Sequence, residues 1–371
     1  MKEVSLNRIR RNPWEFEYAQ TQTYEMCIEA VKRKGVLLKD VRWDELNLND
    51  EQIYNLCIIA IKQDGFALKY VKLDGFLKEQ LDELYLEAVR NYGLSLQYVE
   101  EQTYERCLIA VRQNGYAIKY IKWDKLNLTK EQIYKLYKEA VKQSGEALEY
   151  VKWSKLEGEF PKEQIYELCK EAVKQNGYAL EFVEEQTEEL CKEAVKQNGE
   201  ALQYVKEQTE EICIIAVREY GTLLSFVKEQ TERICIEAVR NTGRALPFVK
   251  EQTDEICLEA VKKNGLSLYW VKNQTDKICL EAIKQSRFAL EYVRDKNLNE
   301  LGVRILKGKD KVRSIIAIKE NGEWLFTIGC QKNITKEKFI NRIYTENGGF
   351  NLKRGVNVHR KAYIDFLDTI N

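Results

Sequence analysis

Residues 171–183 read Glu-Ala-Val-Lys-Gln-Asn-Gly-Tyr-Ala-Leu-Glu-Phe-Val, and variants of this stretch occur eleven times along the 371-residue chain. A helix-like segment ends in Ala-(Val/Ile)-(Lys/Arg), and a glycine then precedes an apolar stretch that usually contains an aromatic residue and valine. A unit this short cannot bury a core alone, so it must stack on its neighbours. The repetition therefore predicts a repeat array.

Glycine marks the register of the copies, and Arg287 takes its place in the last one. The interval is 22 residues throughout the C-terminal half, whereas four earlier linkers are longer. Counting back from the first glycine, residues 12–18 match the second half of a degenerate copy. We predict a degenerate N-terminal cap at residues 1–23, an eleven-copy array at residues 24–296 and a small domain at residues 297–371. The glycines are Gly35, Gly65, Gly93, Gly115, Gly145, Gly177, Gly199, Gly221, Gly243 and Gly265.

Each copy is predicted to contain two helical elements. Thr187 and its equivalents precede a segment with helical apolar periodicity, which is typical of a capped helix of about eleven residues. The glycine is expected to end this helix in the left-handed conformation, and a shorter helix or helical turn should pack back. Alanine stands five residues before the glycine in all eleven copies, which indicates that another backbone approaches closely. The predicted fold class is mostly α: an α-solenoid of short helix-turn-helix repeats.

The repeat pattern Glu-x-Cys-x-x-Ala-Val-Lys-x-Asn-Gly-x-Ala-Leu-x-(Tyr/Phe)-Val resembles a known tandem helical repeat. That repeat is catalogued as a domain of unknown function and is found in proteins of bacteria and of large DNA viruses. The resemblance covers roughly residues 12–295. A likeness to the leucine-rich variant repeat is weaker. The resemblance implies a helical solenoid and transfers no catalytic residue.

Nine of the ten cysteines occupy one slot of the repeat, eight residues before the glycine. These cysteines could form a row of metal-binding or redox-active thiols, or each could be a small buried residue where helices pack. Stacked helices lie about 8–10 Å apart, whereas a disulfide needs Cα atoms within about 7 Å. We favour packing, predict no cofactor or metal, and expect a reducing compartment, the cytoplasm. The nine are Cys27, Cys57, Cys107, Cys169, Cys191, Cys213, Cys235, Cys257 and Cys279.

The sequence gives no sign of membrane association. No apolar run approaches the ~20 residues that a membrane-spanning helix needs, and the N-terminal residues lack the apolar core of a signal peptide. The 59 basic and 59 acidic residues cancel overall. Residues 297–371, however, hold 14 basic and 8 acidic residues, so the array is about −6 and the C-terminal domain about +6. Any preference for anions or nucleic acid is therefore expected in that domain.

Departures from the repeat are candidate contacts for a partner protein. Three of the longer linkers begin with tryptophan, and three copies hold isoleucine where most have glutamate, six residues before the glycine. Isoleucines that reach solvent would form apolar spots suited to a partner, and the alternative is burial against a neighbouring linker. The candidates are Ile59, Ile109, Ile215, Trp43, Trp123 and Trp153.

Two further ladders follow the repeat. All eleven copies have Lys or Arg three residues before the glycine, and eight have Glu three residues earlier. This basic ridge could follow a phosphate backbone, but solvated Glu–Lys pairs on one helix are the favoured interpretation. Ten copies have an aromatic residue five positions after the glycine. A base-stacking platform is one interpretation, and packing between repeats is the favoured one.

The C-terminal domain is predicted to be α+β, with a ββαα order. Residues 312–319 and 323–330 are two largely apolar stretches that face each other across Asn321-Gly322, which is a strong hairpin signal. Helices are expected at about residues 335–346, capped by Thr335, and at about residues 358–370. A unit of this size is marginal alone, so we expect it to dock on the last repeat.

Basic residues of this domain could hold RNA, DNA or an acidic protein, and ordinary surface charge is the alternative interpretation. The candidates are Lys307, Lys309, Lys311, Arg313, Lys353, Arg354, Arg360 and Lys361.

The chain has no phosphate-binding loop, dinucleotide glycine motif or nucleophile signature. Our first hypothesis is a non-enzymatic, cytoplasmic scaffold or inhibitor that recognises a partner protein through the repeat surface. The alternative is a nucleic-acid-binding protein of phage or viral type that interferes with host machinery through the basic C-terminal domain. A hydrolase or nuclease in that domain is a third hypothesis. No small-molecule substrate is expected.

Overall fold

The computed structural model describes residues 3–153, 160–294, 298–308, 313–328, 331–344 and 358–370. The chain forms two compact units, residues 1–206 and 207–371. Within each unit, successive α-helices pack against one another and against short 3₁₀ helices. The predicted fold class is confirmed: the chain is mostly α with solenoid-like stacking of short repeats, and a small α+β region follows them. The boundaries proposed near residues 23 and 296 stay predictions.

Each described copy combines an α-helix with a six-residue 3₁₀ helix. The α-helices of the first unit are Leu6–Arg11, Tyr24–Arg33, Asp50–Gln63, Lys78–Asn91, Tyr104–Gln113, Lys130–Gln143, Lys162–Gln175 and Glu188–Gln197. The α-helices of the repeats in the second unit are Glu210–Glu219, Glu232–Asn241, Asp254–Lys263 and Asp276–Gln285. None of the described helices is both long enough and apolar enough to span a membrane.

The second element of each copy is the 3₁₀ helix, which satisfies the expectation of a shorter helix or helical turn. In the first unit these helices are Pro13–Tyr18, Gly35–Asp40, Gly65–Tyr70, Gly93–Tyr98, Gly115–Tyr120, Gly145–Tyr150, Gly177–Phe182 and Gly199–Tyr204. In the second unit they are Gly221–Phe226, Gly243–Phe248, Gly265–Trp270 and Arg287–Tyr292. The shorter 3₁₀ helices Trp43–Glu45 and Trp123–Lys125 lie in the inserted linkers.

Side-chain caps fix where the α-helices begin. The Thr231 hydroxyl accepts a hydrogen bond from the backbone N–H of Ile234 at 3.3 Å, as predicted for the threonine slot. Thr129 and Gln132 form the reciprocal capping box at the N-terminus of the 14-residue helix Lys130–Gln143. The N-terminal segment also has the form of a copy, because Ile9 and Phe16 of its two short helices are fully buried.

The expectation of a left-handed repeat glycine is wrong. Among the described glycines, positive φ occurs at Gly75, Gly302 and Gly322, and each of these lies outside the repeat slot. The repeat glycine is instead the first residue of the 3₁₀ helix, and the residue before it is extended. Asn176, for example, has φ −150° and ψ 117°, and its side chain accepts a hydrogen bond from the backbone N–H of Tyr178 at 3.0 Å.

Glycine is required because the next copy comes too close for a side chain. A Cβ atom at Gly177 would lie 2.5 Å from the carbonyl oxygen of Ala194, well below an ordinary contact distance. Ala194 occupies the alanine slot of the following copy, so the predicted close backbone approach is confirmed. The Gly177 N–H also donates to Oε1 of Gln197 at 2.6 Å. No further copy follows Arg287, so that position has room for a side chain.

The buried residues of the repeats are apolar except for two serines and Arg106, which forms an ion pair with Asp82. Ser95 and Ser267 stand two residues after the glycine, where the other nine copies have Ala or Leu. Both are fully buried, and their hydroxyls have no hydrogen-bond partner among the described residues. A buried hydroxyl without a partner costs roughly 1–3 kcal/mol.

Replacing Ser267 by alanine should therefore raise the free energy of unfolding by about 1 kcal/mol, because the substitution removes an unpaired polar group. Urea denaturation followed by circular dichroism measures the change. Ser225→Ala is the matched control, since the exposed Ser225 hydroxyl donates to the carbonyl of Thr222 at 3.0 Å and should gain nothing. A Ser267→Ala protein no more stable than the parent would contradict this account of the slot.

The C-terminal sheet is antiparallel in the order β1-β2-β3-β4. Its strands are β1 (Val303–Leu306), β2 (Ile315–Glu320), β3 (Glu323–Ile328) and β4 (Gln331–Thr335). The β2–β3 hairpin turns at Asn321 and Gly322, with φ of 50° and 87°, as predicted. The structure adds β1 and β4, which the ββαα expectation lacked.

Two helices, Lys336–Tyr344 and Val358–Asp368, cover the sheet. The Phe326 and Phe339 rings stack with centroids 4.7 Å apart at the centre of their shared core. The domain contacts the last repeat, as expected. Lys284 forms an ion pair with Glu320, and Lys332 Nζ donates to the carbonyl of Gln285 at 2.6 Å.

Candidate partner-binding surface

A glutamine that precedes the threonine cap joins successive repeats. Gln230 Nε2 donates to the carbonyls of Leu224, at 3.2 Å, and of Phe248, at 3.0 Å. Its Oε1 accepts the backbone N–H of Lys250 at 3.0 Å and the Cys235 thiol at 3.7 Å. Gln186, Gln252 and Gln274 make corresponding contacts. This slot therefore has a structural role, which the repeat pattern alone did not suggest.

The repeat cysteines are buried free thiols. Burial raises the pKa of Cys27 and Cys57 to about 12, and that of Cys235 to about 11. The described residues include no group of three or more His, Cys, Asp and Glu side chains placed to hold a metal ion. The burial of these thiols and their raised pKa agree with the packing interpretation, because a buried, protonated thiol is a poor nucleophile and a poor ligand.

In a Cys330→Ser protein, a thiol reagent at pH 8 should modify the nine repeat cysteines at least about 100-fold more slowly than in the urea-unfolded chain. Burial and the raised pKa both suppress the reactive thiolate. Cys330 lies outside the described residues, and replacing it leaves only the repeat thiols to be measured. Rapid labelling of any repeat cysteine in the folded protein would contradict this prediction.

The basic ridge is paired with carboxylates. Lys262 Nζ lies 2.7 Å from Glu259 on the same helix, as predicted, and Arg240 of the preceding copy lies 2.8 Å from the same carboxylate. Hydrogen bonds from Lys262 and Arg240 hold the pKa of Glu259 below its usual range. Arg218 and Glu237 form the corresponding pair one copy earlier, at 2.6 Å. Much of the ridge is therefore neutralised before any phosphate could bind.

The isoleucine and tryptophan candidates are all half-buried. Ile59, Ile109 and Ile215 stand on the glutamate face of three different helices. Trp123 stacks on Tyr137 with ring centroids 5.1 Å apart. Trp153 lines a cavity of about 660 Å³, and residues 154–159 beside it lie outside the described residues. Trp43 begins a short 3₁₀ helix in its linker. The three isoleucines belong to three different copies and the three tryptophans to three different linkers, and their role in partner contact stays a prediction.

The structure brings part of the basic candidate set together. The backbone N–H of Arg313 donates to the Tyr363 hydroxyl at 2.9 Å, which places it beside the helix that carries Arg360 and Lys361. Arg360 lies 4.0 Å from the centre of the Tyr344 ring. Lys307 is exposed. The remaining candidates, Lys309, Lys311, Lys353 and Arg354, lie outside the described residues.

A further surface emerges on the 3₁₀ helices of the second unit. Six large apolar side chains there are between 37% and 59% exposed. They lie on, or directly before, four successive 3₁₀ helices, and we call them the 3₁₀ face. Its members are Tyr220, Phe226, Phe248, Leu266, Tyr269 and Phe288.

Several equivalent aromatic residues of the first unit are engaged by neighbouring side chains, whereas Trp14 and Tyr18 of its N-terminal segment are exposed. The Tyr116 hydroxyl donates to Glu146 at 2.5 Å, and Tyr178 forms the same kind of bond with Glu200. The Phe66 ring packs edge-on against three tyrosines. The sequence interpretation of packing between repeats concerns the slot five after the glycine, and Tyr70 and Tyr98 of that slot contact the Phe66 ring. It did not reveal that Phe226 and Phe248 of this slot are exposed, and the other four members of the 3₁₀ face stand at slots with no repeated aromatic pattern.

Comparison with known proteins agrees with the repeat assignment. A family model described as "Domain of unknown function (DUF4116)" matches residues 187–232 and 253–298. These two segments are similar to that family's domain. Each spans two consecutive repeats, so one DUF4116 domain corresponds to a pair of the 22-residue units. The resemblance inferred from the repeat pattern is thereby confirmed. A search of curated proteins finds no match.

Proposed function

We propose that this chain is a non-enzymatic, cytoplasmic scaffold or inhibitor that binds a partner protein through its repeat surface. The observation that supports the proposal is the 3₁₀ face, where large apolar side chains stay exposed on four successive copies. Contiguous exposed apolar patches mark interaction sites, and aromatic anchors supply most of the binding energy at protein interfaces. The half-buried isoleucines and tryptophans are proposed as additional contacts.

The repeat backbone holds this face in a fixed geometry. Gln230 and Gln252 each bond the carbonyl of an aromatic residue in the next copy, Phe248 and Trp270 respectively. A surface fixed in this way loses little conformational entropy when a partner binds. Rigid presentation of apolar side chains is what a scaffold or inhibitor requires.

Nucleic-acid binding by the C-terminal domain is the second candidate function. It rests on the contact between Arg360 and Tyr344, whose ring is 51% exposed. An arginine beside an exposed ring resembles the aromatic and cationic platforms on which bases stack. A phage or viral protein that interferes with host machinery would use such a site together with the nearby Arg313 and Lys307.

Affinity capture from native cytosol with matched variants tests the first function. The full chain should retain a discrete protein at moderate salt after nuclease treatment. The double variant Phe226→Ser/Phe248→Ser should retain at least tenfold less of it, because two apolar anchors are lost. Tyr18→Ser is the control, since Tyr18 occupies the same slot in the first unit and is 71% exposed.

Equal capture by the double variant would overturn the proposal for this face. The second function predicts a different result: oligonucleotide binding that falls steeply with salt and disappears when Lys307, Lys309, Lys311 and Arg313 are replaced by glutamine. Binding studies on the same preparations therefore separate the two functions.

A further inference from the structure

We infer that the 3₁₀ face binds a linear acidic segment of its partner, with apolar residues spaced about three positions apart. The inference rests on the proposed function and specifies the chemistry of the ligand. It follows from the distribution of charge, from the way cations are held along the face, and from the spacing of the repeats.

Charge is segregated between the two sides of these four copies. The 3₁₀ helices and the loops after them, within residues 221–294, carry six basic and three acidic residues. The α-helices of the same copies carry seven basic and ten acidic residues. The 3₁₀ side is therefore net positive and the α-helical side net negative. Complementary charge favours an acidic ligand on the 3₁₀ side.

Two arginines on this face are available to a ligand. Arg244 and Arg287 have no carboxylate within ion-pair distance among the described residues, in contrast to Arg218 and Arg240 on the α-helical side. The Arg287 guanidinium lies 5.0 Å from the centre of the Phe288 ring. A carboxylate that binds this guanidinium would therefore lie beside an exposed apolar ring.

A row of fixed cations follows the loops after the 3₁₀ helices. Lys250 Nζ donates to the carbonyl of Lys228 at 2.7 Å, and Lys272 Nζ donates to that of Lys250 at 3.3 Å. Arg294 continues the row through the carbonyl of Tyr269 at 3.1 Å. Each side chain reaches back by one copy, so the cations recur with the period of the repeat. Lysine and arginine held in this way need little further ordering when an acidic chain binds.

The spacing of the repeat sets the spacing expected in the ligand. Packed helices lie about 8–10 Å apart, and an extended chain advances about 3.3 Å per residue. About three ligand residues therefore span one copy, and about twelve span all four. One apolar residue in every three would meet the exposed side chains, and the acidic residues between them would face the cations.

Synthetic peptides test the inference on the full-length protein. The probe is a fluorescein-labelled (Leu-Asp-Asp)₄ peptide, because aspartate disfavours helix and the sequence stays linear. Its anisotropy should report saturable binding that weakens with added salt. The affinity should fall at least tenfold with Phe226→Ser/Phe248→Ser and with Arg244→Glu/Arg287→Glu, and should stay unchanged with Tyr18→Ser. Circular dichroism melting of each variant verifies that it is folded.

Three control peptides decide the chemistry of the ligand. (Ser-Asp-Asp)₄ tests the apolar residues, (Leu-Lys-Lys)₄ tests the charge, and Leu₄Asp₈ keeps the composition but abolishes the spacing. Each should bind at least tenfold more weakly than the probe. Equal binding by any of them would overturn the inference, as would a (Leu-Asp-Asp)₄ affinity that the double phenylalanine variant leaves unchanged.

Other occupants of the face give different results. If a second copy of the chain occupies the face, the protein will self-associate with increasing concentration, and the double phenylalanine variant will not. If nucleic acid occupies it, the protein will bind oligonucleotides, and the double phenylalanine variant will not. Either result overturns the acidic-segment inference. If variants of the face alter capture of a partner but the probe does not bind, this inference fails and the proposed function stands. If they leave capture unchanged, the proposed function itself fails.

Discussion

Replacing Gly177 by alanine should lower the free energy of unfolding by about 3 kcal/mol, the upper end of the usual cost of overpacking. The new Cβ would lie 2.5 Å from the carbonyl oxygen of Ala194 and 2.8 Å from Oε1 of Gln197. Backbone on both sides would have to move, and the hydrogen bond from the Gly177 N–H to Gln197 would be strained. Urea denaturation followed by circular dichroism measures the change.

Arg287→Ala is the matched control because it leaves the same residue, alanine, in the same slot of the last copy, where a Cβ atom is already present. No further copy follows there, so the free energy of unfolding should change by no more than about 0.5 kcal/mol. Parental stability of Gly177→Ala would contradict the explanation of the repeat glycine as a point of close approach. A large loss for Arg287→Ala would show that the slot has some other requirement.

Replacing Gln230 by leucine should lower the free energy of unfolding by about 2–3 kcal/mol. The substitution keeps the apolar part of the side chain but removes the partners of the Leu224 and Phe248 carbonyls and of the Lys250 N–H. The same denaturation experiment measures the loss. Because two copies are joined here, the cost should exceed that of losing a single surface hydrogen bond.

Glu229→Ala is the neighbouring control, since Glu229 is exposed and should change stability by no more than about 0.5 kcal/mol. Equal stabilities of Gln230→Leu and Glu229→Ala would show that the glutamine ladder does not join the copies. A loss of stability that is confined to the second unit would still agree with a joining role for Gln230, because repeat arrays gain stability from each interface between neighbouring copies.

Local signals predicted most of the repeat correctly. The threonine caps, the capping box at Thr129 and Gln132, and the Asn321-Gly322 turn each act through neighbouring residues, so the sequence alone reveals them. The alanine slot indicated a close backbone approach, and the structure places the carbonyl of Ala194 at Gly177. The regular period made the threonine and alanine signals stronger, since each of these two recurs in many copies of one chain.

Contacts between copies were harder to predict. Asn-Gly commonly indicates a turn with positive φ. In the repeat, however, Asn176 caps a 3₁₀ helix and Gly177 leaves room for the next copy. The partners of Gln230 lie 6, 18 and 20 residues away, and only stacking brings them together. Strand β4, Gln331–Thr335, is too polar for an alternating pattern, and it is recognised only by its pairing with β3.

The candidate site was predicted less completely than the fold. Residues repeated in every copy mostly serve packing. Partner contacts were therefore predicted where the sequence departs from the repeat, in the inserted linkers and at Ile59, Ile109 and Ile215. The structure adds Tyr269 and Phe288, which occupy variable slots and therefore have no repeated pattern. Their exposure depends on which neighbours lack a covering side chain, as Glu146 covers Tyr116 in the first unit.

Hydroxyl-radical footprinting of the protein with and without its captured partner tests the central claim most directly, because it reports the solvent exposure of individual side chains. The account predicts that oxidation of Phe226, Phe248 and Tyr269 falls at least several-fold in the complex, while Tyr18 is oxidised at the same rate in both samples. Unchanged oxidation of those three rings, with protection at Tyr344 or elsewhere, would contradict recognition through the 3₁₀ face.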